Sequence, residues 1–288
     1  MNSDLILTAV LQGLGYSALA IGVYLSLRIF NIPDITTDGS YTLGGAITAV
    51  LLVNGISPSL TLPAAFATGM VAGALTGMIH TKLRIHPLLA GILVMTALYS
   101  INLRIMGRSN IPLINGLNIY SYVTAGFHIQ VLLILTAVTA LLILLTTLLL
   151  KTDYGIAMRA TGNSEPMVRA AGVNTGNIKI TGLALANGLT ALSGSLITQY
   201  QGFADINMGL GIVISGLGSV MIGEALIARM STKNILTGIC AAVFGSILFR
   251  IVIALALSAG LDPNLLKLVT AVIVLLIVAL SSRKIRLS

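Results

Sequence analysis

Apolar residues occur along this chain in long runs that short polar or glycine-rich stretches separate. A helix that crosses the hydrocarbon core of a bilayer needs roughly 20 apolar residues, and most of these runs are long enough. The runs are 5–29, 36–53, 58–80, 88–106, 129–150, 178–201, 208–229, 233–257 and 264–282. The pattern predicts an all-α polytopic membrane protein with about eight or nine transmembrane or re-entrant helices, in a single domain covering residues 1–288.

The second run is more polar than a lipid-facing helix should be. It opens with T-T-D-G-S-Y-T-L-G-G-A at 36–46, where an acid, hydroxyls and glycines stand in place of leucine. Polar, glycine-rich backbone at membrane depth is tolerated only when it is buried in protein or lines a wet cavity. We therefore expect segment 36–53 to be broken or re-entrant and to face the interior of the helix bundle.

A weak internal similarity suggests a chain of two halves. P-D-I-T-T-D-G-S-Y-T-L-G at 33–44 is echoed by A-D-I-N-M-G-L-G at 204–211. The halves would be 1–128 and 178–288, with a cytoplasmic segment at 151–177 between them. Their first helices would run in opposite directions, as in an inverted repeat with the solute path at the interface. Chance is the alternative, because short glycine-rich strings recur in membrane proteins.

Charge predicts the orientation of the chain. Lys and Arg outnumber Asp and Glu by 16 to 8, but they occur singly between apolar runs, which fits the positive-inside rule and not nucleic-acid binding. With the amino terminus outside, only Arg104, Arg108, Arg250 and Lys267 lie outside. The predicted inside cations are Arg28, Lys82, Arg84, Lys151, Arg159, Arg169, Lys179, Arg229, Lys233, Arg283, Lys284 and Arg286. The chain is therefore predicted to lie N-out and C-in.

Composition argues against a soluble enzyme. Hydrophobic residues make up 56% of the chain, charged residues 8%, and the mean hydropathy is +1.01. The three histidines are far apart, and no Ser/His/Asp or Cys/His set occurs at a useful spacing, so neither a catalytic nor a metal site is predicted. No G-x-x-x-x-G-K-[S/T] motif occurs, so a nucleotide-driven motor must be another chain.

The polar stretch 151–177 is the most informative segment. Capping, acidic, proline, basic and glycine residues follow one another there in the order that the two ends of a short helix favour. They are Asn163 or Ser164, Glu165, Pro166, Arg169 and Gly172. Such an element is suited to docking on a cytosolic motor, and a solvated loop between two helices is the alternative.

This stretch also carries a family resemblance. T-D-Y-G-I-A-M-R-A-T-G-N-S-E-P-M-V-R-A-A-G-V-N at 152–174 resembles the cytoplasmic segment of permeases from ATP-binding-cassette (ABC) importers of the branched-chain amino-acid and ribose type. I-P-D-I-T-T-D-G-S-Y-T-L-G-G-A and the small-residue helix at 182–197 resemble the same permeases. The resemblance implies an ATPase-coupling face. Its residues are Tyr154, Gly155, Arg159, Ala160, Glu165, Arg169, Ala171, Gly172, Val173 and Asn174.

The resemblance also implies partners, location and cargo. It implies cytosolic ATP-binding subunits that use ATP and Mg²⁺, an extracytoplasmic solute-binding protein, a second permease copy in a homodimer, and a multi-pass place among the lipids of the bacterial cytoplasmic membrane. This chain itself needs no cofactor and binds no nucleic acid. Because D-I-T-T-D-G departs from the acid-Leu-Ser-x-Gly motif of the sugar branch, we expect an amino acid, aromatic or branched-chain, with a sugar or nucleoside as the alternative.

Polar residues in both predicted halves are candidates for the translocation path, since acids near a membrane are rare enough to suggest function. They are Asp34, Thr36, Thr37, Asp38, Gln199, Asp205 and Asn207. The acids could instead only cap the helices that follow them. An ion-coupled secondary transporter or channel is the alternative function, although it leaves the coupling-like segment unexplained.

Overall fold

The chain is almost entirely helical in the computed structural model, which describes residues 3–113, 118–122, 126–227, 234–260, 262 and 265–285. Its helices are α1 Ser3–Gly15, α2 Ser17–Tyr24, α3 Thr36–Val53, α4 Pro58–Lys82, α5 Pro87–Met106, α6 Phe127–Lys151, α7 Asp153–Asn163, α8 Glu165–Ala170, α9 Thr175–Gln201, α10 Ile212–Ile227, α11 Ile235–Ser258 and α12 Leu266–Ile285. A π turn, Leu25–Ile29, extends α2, and a 3₁₀ turn spans Ile119–Tyr122. Two short strands, β1 Asn110–Pro112 and β2 Phe203–Asp205, lie among the described residues.

Every predicted apolar run contains a helix, but not every helix is long and apolar enough to cross a bilayer alone. Among the described residues, α4, α5, α6, α9 and α11 meet that test, and α1 with α2 makes a sixth if the bent pair is one span. The bend of 43° lies at Tyr16, between Gly15 and Ser17, and Gly/Ser combinations commonly accompany kinks. The predicted inside cations Arg229, Lys233 and Arg286 lie outside the described residues.

Segment 36–53 differs from the prediction in one respect. It faces the interior as expected, because most of its side chains are buried, but α3 is one unbroken helix and not a broken one. The irregular backbone comes just before it, at residues 30–35. Asn31 there has a φ of +54°, a left-handed value that asparagine tolerates better than most residues. The break therefore separates the first span from α3.

Helix α9 is the centre of the bundle, and glycines bring α3 and α4 against it. A Cβ on Gly44 of α3 would overlap the carbonyl oxygen of Ala191, and one on Gly73 of α4 would overlap that of Leu183. Gly69 likewise packs on α9, so the G-x-x-x-G motif at 69–73 joins helices within the chain.

The bundle has two distinct ends. At one, here called the β end, β1 and β2 pair antiparallel with Asn110 opposite Asp205 and so tie the ends of α5 and α9 together. In the adjoining 3₁₀ turn, Tyr120 is fully buried and its hydroxyl donates to Leu196 O at 2.9 Å. At the other, the α8 end, α7 packs on the end of the first span, where Gly162 lies against Ile29 O.

The α3–α9 contact allows a first prediction. We expect Gly44→Ala to lower the free energy of unfolding by about 1–3 kcal/mol or more, because the added methyl has only backbone to displace. Gly126→Ala is the matched control, since Gly126 has open space around it and a φ of −61°. Denaturant titration in mixed micelles measures both, and equal stabilities would mean that α3 and α9 are not in such close contact.

Candidate functional site

A buried polar network holds the start of α3. The Asp34 carboxylate accepts from Thr36 N at 2.9 Å and from Asn187 Nδ2 at 2.6 Å. Asn187 Oδ1 accepts in turn from Ser40 Oγ at 2.7 Å. Asp34, Ser40 and Asn187 are all buried. Asp34 therefore bonds the first backbone N–H of the helix that follows it, although Ile35 is the N-cap residue, and it also ties that helix to the middle of α9.

The two threonines beside Asp34 are fully buried as well. The hydroxyl of Thr36 lies 2.8 Å from that of Thr76 on α4, and Thr37 Oγ1 donates to Asp34 O at 3.1 Å. Both side chains therefore hold α3 against its neighbours in this conformation and expose no surface to a solute.

Asp38 connects α3 with α10. Its carboxylate oxygens accept from Gly211 N at 2.8 Å and from Val213 N at 2.9 Å, at the amino terminus of α10. The expectation that Asp38 caps the helix following it in sequence is thus wrong, because Asp38 already lies in the first turn of α3. It caps a helix about 170 residues later, where a negative charge suits the helix dipole.

Helices α3 and α10 begin next to each other and run in opposite directions. α3 leads toward the β end, where Ala46 and Ala49 pack with Ile111. α10 leads toward the α8 end, where Glu224 forms an ion pair with Arg28. Two helix starts thus meet inside the bundle, and the Asp38 carboxylate joins them through hydrogen bonds to backbone N–H groups of the α10 start.

A cavity of about 250 Å³ adjoins Asp38. It is lined by Asp38, Gly39, Thr42, Met95, Thr96, Tyr99, Ser100, Asn102, Ile206 and Leu210. Of the seven predicted path residues, the structure places only Asp38 in this lining. The sequence analysis missed the α5 contribution, although the polar pair Thr96 and Ser100, four residues apart in an apolar run, was a signal for it.

The other predicted path residues lie toward the β end. Gln199 is buried, donating to Thr61 Oγ1 at 3.0 Å and accepting from Ile119 N at 2.8 Å. Asp205 accepts from Asn207 N at 2.8 Å and from Asn110 Nδ2 at 3.2 Å. Gln199 therefore joins α9 to α4 and to the 3₁₀ turn, whereas Asp205 and Asn207 fasten the turn after α9. All three lie outside the cavity lining.

The polar stretch at 151–177 forms two helices, and α8 is the predicted short capped helix. Glu165 and Pro166 lie in its first turn and Arg169 in its last. Ser164 is the N-cap residue, but its side chain makes no capping hydrogen bond, so the expected N-cap bond is not formed.

Turn chemistry explains the Ala-Gly-Val-Asn motif that follows α8. Gly172 has a φ of +82°, its N–H bonds to Arg169 O, and Val173 N bonds to Val168 O, which together form a Schellman motif. Asn174 then caps α9 by accepting from Asn177 N at 3.1 Å. The motif ends one helix and begins the next, and so sets the position of α8.

Glu165 ties α8 to the start of α9. Its carboxylate accepts from Lys179 Nζ at 2.6 Å, Arg169 at 2.7 Å and Thr175 Oγ1 at 3.1 Å. The hydrogen bond from Lys179 is the main cause that lowers the pKa of Glu165 from its usual value of 4.5. Because a lowered pKa favours the ionised form, this tie contributes stability above pH 4.5 and loses it as the pH falls through the lowered pKa.

The exposed face of α8 contains a residue that the sequence analysis missed. Met167 is 72% exposed, the Arg169 side chain points to solvent beside it, and Val168 is buried on the opposite face. A groove of about 620 Å³ separates this helix from the α4–α5 connection, with Arg84 and Lys179 in its lining. The available sequence signal was the adjacent apolar pair Met167 and Val168, of which one faces solvent and the other packs inward.

The remaining predicted coupling residues divide between packing and exposure. Gly155 packs tightly on the backbone of Leu150. Tyr154 is 43% exposed and its hydroxyl bonds to Thr181. Arg159 and Ala160 are half-buried, and Ala171 is exposed.

Comparison with known proteins adds the following. Residues 5–279 match the protein family described as branched-chain amino acid transport system, permease component. The tyrosine transport system permease protein of Clostridioides difficile is 41% identical over 98% of this chain and 93% of its own length. A galactofuranose transporter permease protein of Escherichia coli is 27% identical over 92% and 76% of the two chains. A probable branched-chain amino acid transport permease protein of Methanocaldococcus jannaschii is 29% identical over 71% and 69%. No solved structure matches.

Proposed function

We propose that this chain, which belongs to the family of branched-chain amino acid transport system permease components, carries an aromatic amino acid through the membrane. The family makes it a membrane-spanning permease subunit of an ABC importer in the cytoplasmic membrane, working with separate ATP-binding and solute-binding proteins. The chemistry of ATP and Mg²⁺ would then belong to the ATP-binding subunits.

The observation that supports the cargo is the 41% identity with a permease of a tyrosine transport system over almost the entire chain. The cavity beside Asp38 agrees in size and lining. Its volume of about 250 Å³ exceeds the roughly 150 Å³ of a cavity that admits benzene. Met95, Tyr99 and Leu210 offer apolar walls for a ring.

The path would pass between two inverted halves in a single domain. In support, α3 and α10 start against each other at Asp38 and lead to opposite ends of the bundle, as discontinuous helices do in transporters with inverted repeats. Asp38 would contact the solute, with Asp34, Thr36 and Thr37 holding one helix start. Gln199, Asp205 and Asn207 would support the path toward the β end. The proposed bounds of the two halves are those predicted from the sequence, 1–128 and 178–288, with the cytoplasmic segment 151–177 between them.

The α8 end would face the cytoplasm, with eight or nine segments in the membrane. Arg28, Lys82, Arg84, Lys151 and Lys179 all lie near this end, as the positive-inside rule requires of a cytoplasmic surface. The chain would then lie N-out and C-in. We propose a homodimer as the working unit, with Met167, Arg169 and the groove beside them docking on the ATP-binding subunits.

The function is tested with the complete importer. The chain, its ATP-binding subunits and its binding protein are reconstituted in liposomes, and uptake of labelled tyrosine, leucine and ribose is compared with and without internal ATP. We expect ATP-dependent uptake of tyrosine that exceeds that of the other two solutes. Uptake by this chain alone under a sodium or proton gradient would instead support a secondary transporter, and ribose uptake would contradict the proposed cargo.

A further inference from the structure

The polar side chains that line the cavity beside Asp38 have acceptor atoms to spare. An ionised carboxylate only accepts, with about four lone-pair positions. Gly211 N and Val213 N occupy one position on each oxygen of Asp38. The amino terminus of α10 suits a negative charge at this place. Two donors occupy two of the four lone-pair positions, so acceptor positions are left over for a further donor.

Asn102 supplies a second acceptor, and this one has no partner. The residue is 1% exposed and lines the cavity, and its Nδ2 donates to Gly39 O at 3.2 Å. That bond determines which way the amide points, and Oδ1 has no hydrogen-bond partner in the part of the chain that the structure describes. A buried carbonyl oxygen without a partner is uncommon and calls for an explanation.

The hydroxyl groups of two threonines in the lining already donate hydrogen bonds to backbone carbonyl oxygens. Thr42 Oγ1 donates to Asp38 O at 3.2 Å, and Thr96 Oγ1 donates to Ile92 O at 2.8 Å. Each hydroxyl oxygen can therefore only accept. None of the described residues that line the cavity is Lys or Arg, although Lys267 has an electrostatic influence on Asp38 from outside it. The complementary ligand group carries positive charge and several N–H donors.

We infer that this cavity binds the protonated α-amino group of the solute between Asp38 and Asn102, with the solute side chain against Met95, Tyr99 and Leu210. The inference rests on the proposed amino-acid cargo. A primary ammonium group has three donors and one positive charge, which matches an acidic, acceptor-rich site. A solute without an amino group leaves Asn102 Oδ1 unpaired, and polar sites reject such analogues strongly.

The test uses the permease with its ATP-binding subunits and without the binding protein, so that only this chain can select the solute. Cys240 is replaced by serine, and Ser100→Cys places a reporter thiol in the cavity lining. The rate of its reaction with N-ethylmaleimide is measured alone and with excess L-tyrosine, tyramine or 3-(4-hydroxyphenyl)propionate. The last compound keeps the ring and carboxylate but lacks the amine.

We expect tyrosine and tyramine to protect the thiol at concentrations about tenfold or more below those at which the propionate does, because one charge-assisted contact is worth about that factor. Asn102→Leu in the reporter background should remove the difference. Asn54→Leu is the matched control, since Asn54 is exposed at the end of α3. Asn102→Asp, which keeps an acceptor, should retain protection by tyramine even if the leucine variant folds poorly.

Three results would overturn the inference. One is equal protection by all three compounds. Another is protection of the thiol by sodium chloride but not by choline chloride, tyrosine or tyramine, which would indicate a site for an inorganic cation. The third is no protection at all while the complete importer still takes up tyrosine with ATP, a result that leaves the proposed function intact. If the wild-type importer shows no ATP-driven uptake of tyrosine, the proposed function itself is contradicted.

Discussion

Met167→Asp is expected to separate this permease from its ATP-binding subunits and to abolish ATP-driven uptake. Met167 is 72% exposed on α8, a six-residue helix that is too short to be stable by itself. Glu165, the Schellman turn at Gly172 and buried Val168 hold α8 in place, so its outer face is free for a partner.

A buried apolar contact at the centre of such an interface is commonly worth 2 kcal/mol or more, which is about 30-fold in affinity, and a new carboxylate adds a desolvation cost. The measurement is co-purification with tagged ATP-binding subunits. Ile56→Asp is the matched control, since Ile56 is an exposed apolar residue in the α3–α4 connection at the opposite end. If both variants co-purify equally well, α8 is not the docking element.

Asn187→Leu is expected to destabilise the folded chain by about 3–5 kcal/mol. The substitution leaves the buried Asp34 carboxylate and the Ser40 hydroxyl without their Asn187 partner. Each buried polar group left without its hydrogen bond costs about 1–3 kcal/mol, and two are affected here. The free energy of unfolding in mixed micelles measures the effect. We expect uptake to fall in parallel, because the start of α3 loses its tie to α9.

An exchange of the two side chains is the informative control. Asp34→Asn combined with Asn187→Asp keeps an amide facing a carboxylate, preserves an acceptor for Thr36 N and should recover much of the stability that Asn187→Asp alone loses. Additive losses in the double variant would show that the two residues do not interact directly, contrary to the 2.6 Å hydrogen bond.

Local sequence signals predicted the elements of this protein well. Each apolar run contains a helix, and the order of Glu165, Pro166, Arg169 and Gly172 correctly indicated the short helix α8. Such signals succeed because they depend on lipid thickness and on the unpaired groups of helix ends, which neighbours in sequence satisfy. The family resemblance, which drew on the same segments, is confirmed by the match over residues 5–279.

The tertiary structure alone decided which residues meet across the bundle. From its place in the sequence, Asp38 would be expected to cap its own helix. It caps α10 instead, because the fold brings the start of that helix beside it. Asn102 gives no sign in sequence that, among the described residues, its Oδ1 finds no partner next to a cavity. The sequence by itself determined the membrane class, the helices and their caps, whereas the packing of α3, α5 and α10 decided where the candidate site lies. Contacts between residues far apart in sequence depend on how whole helices pack, and no local pattern records that packing.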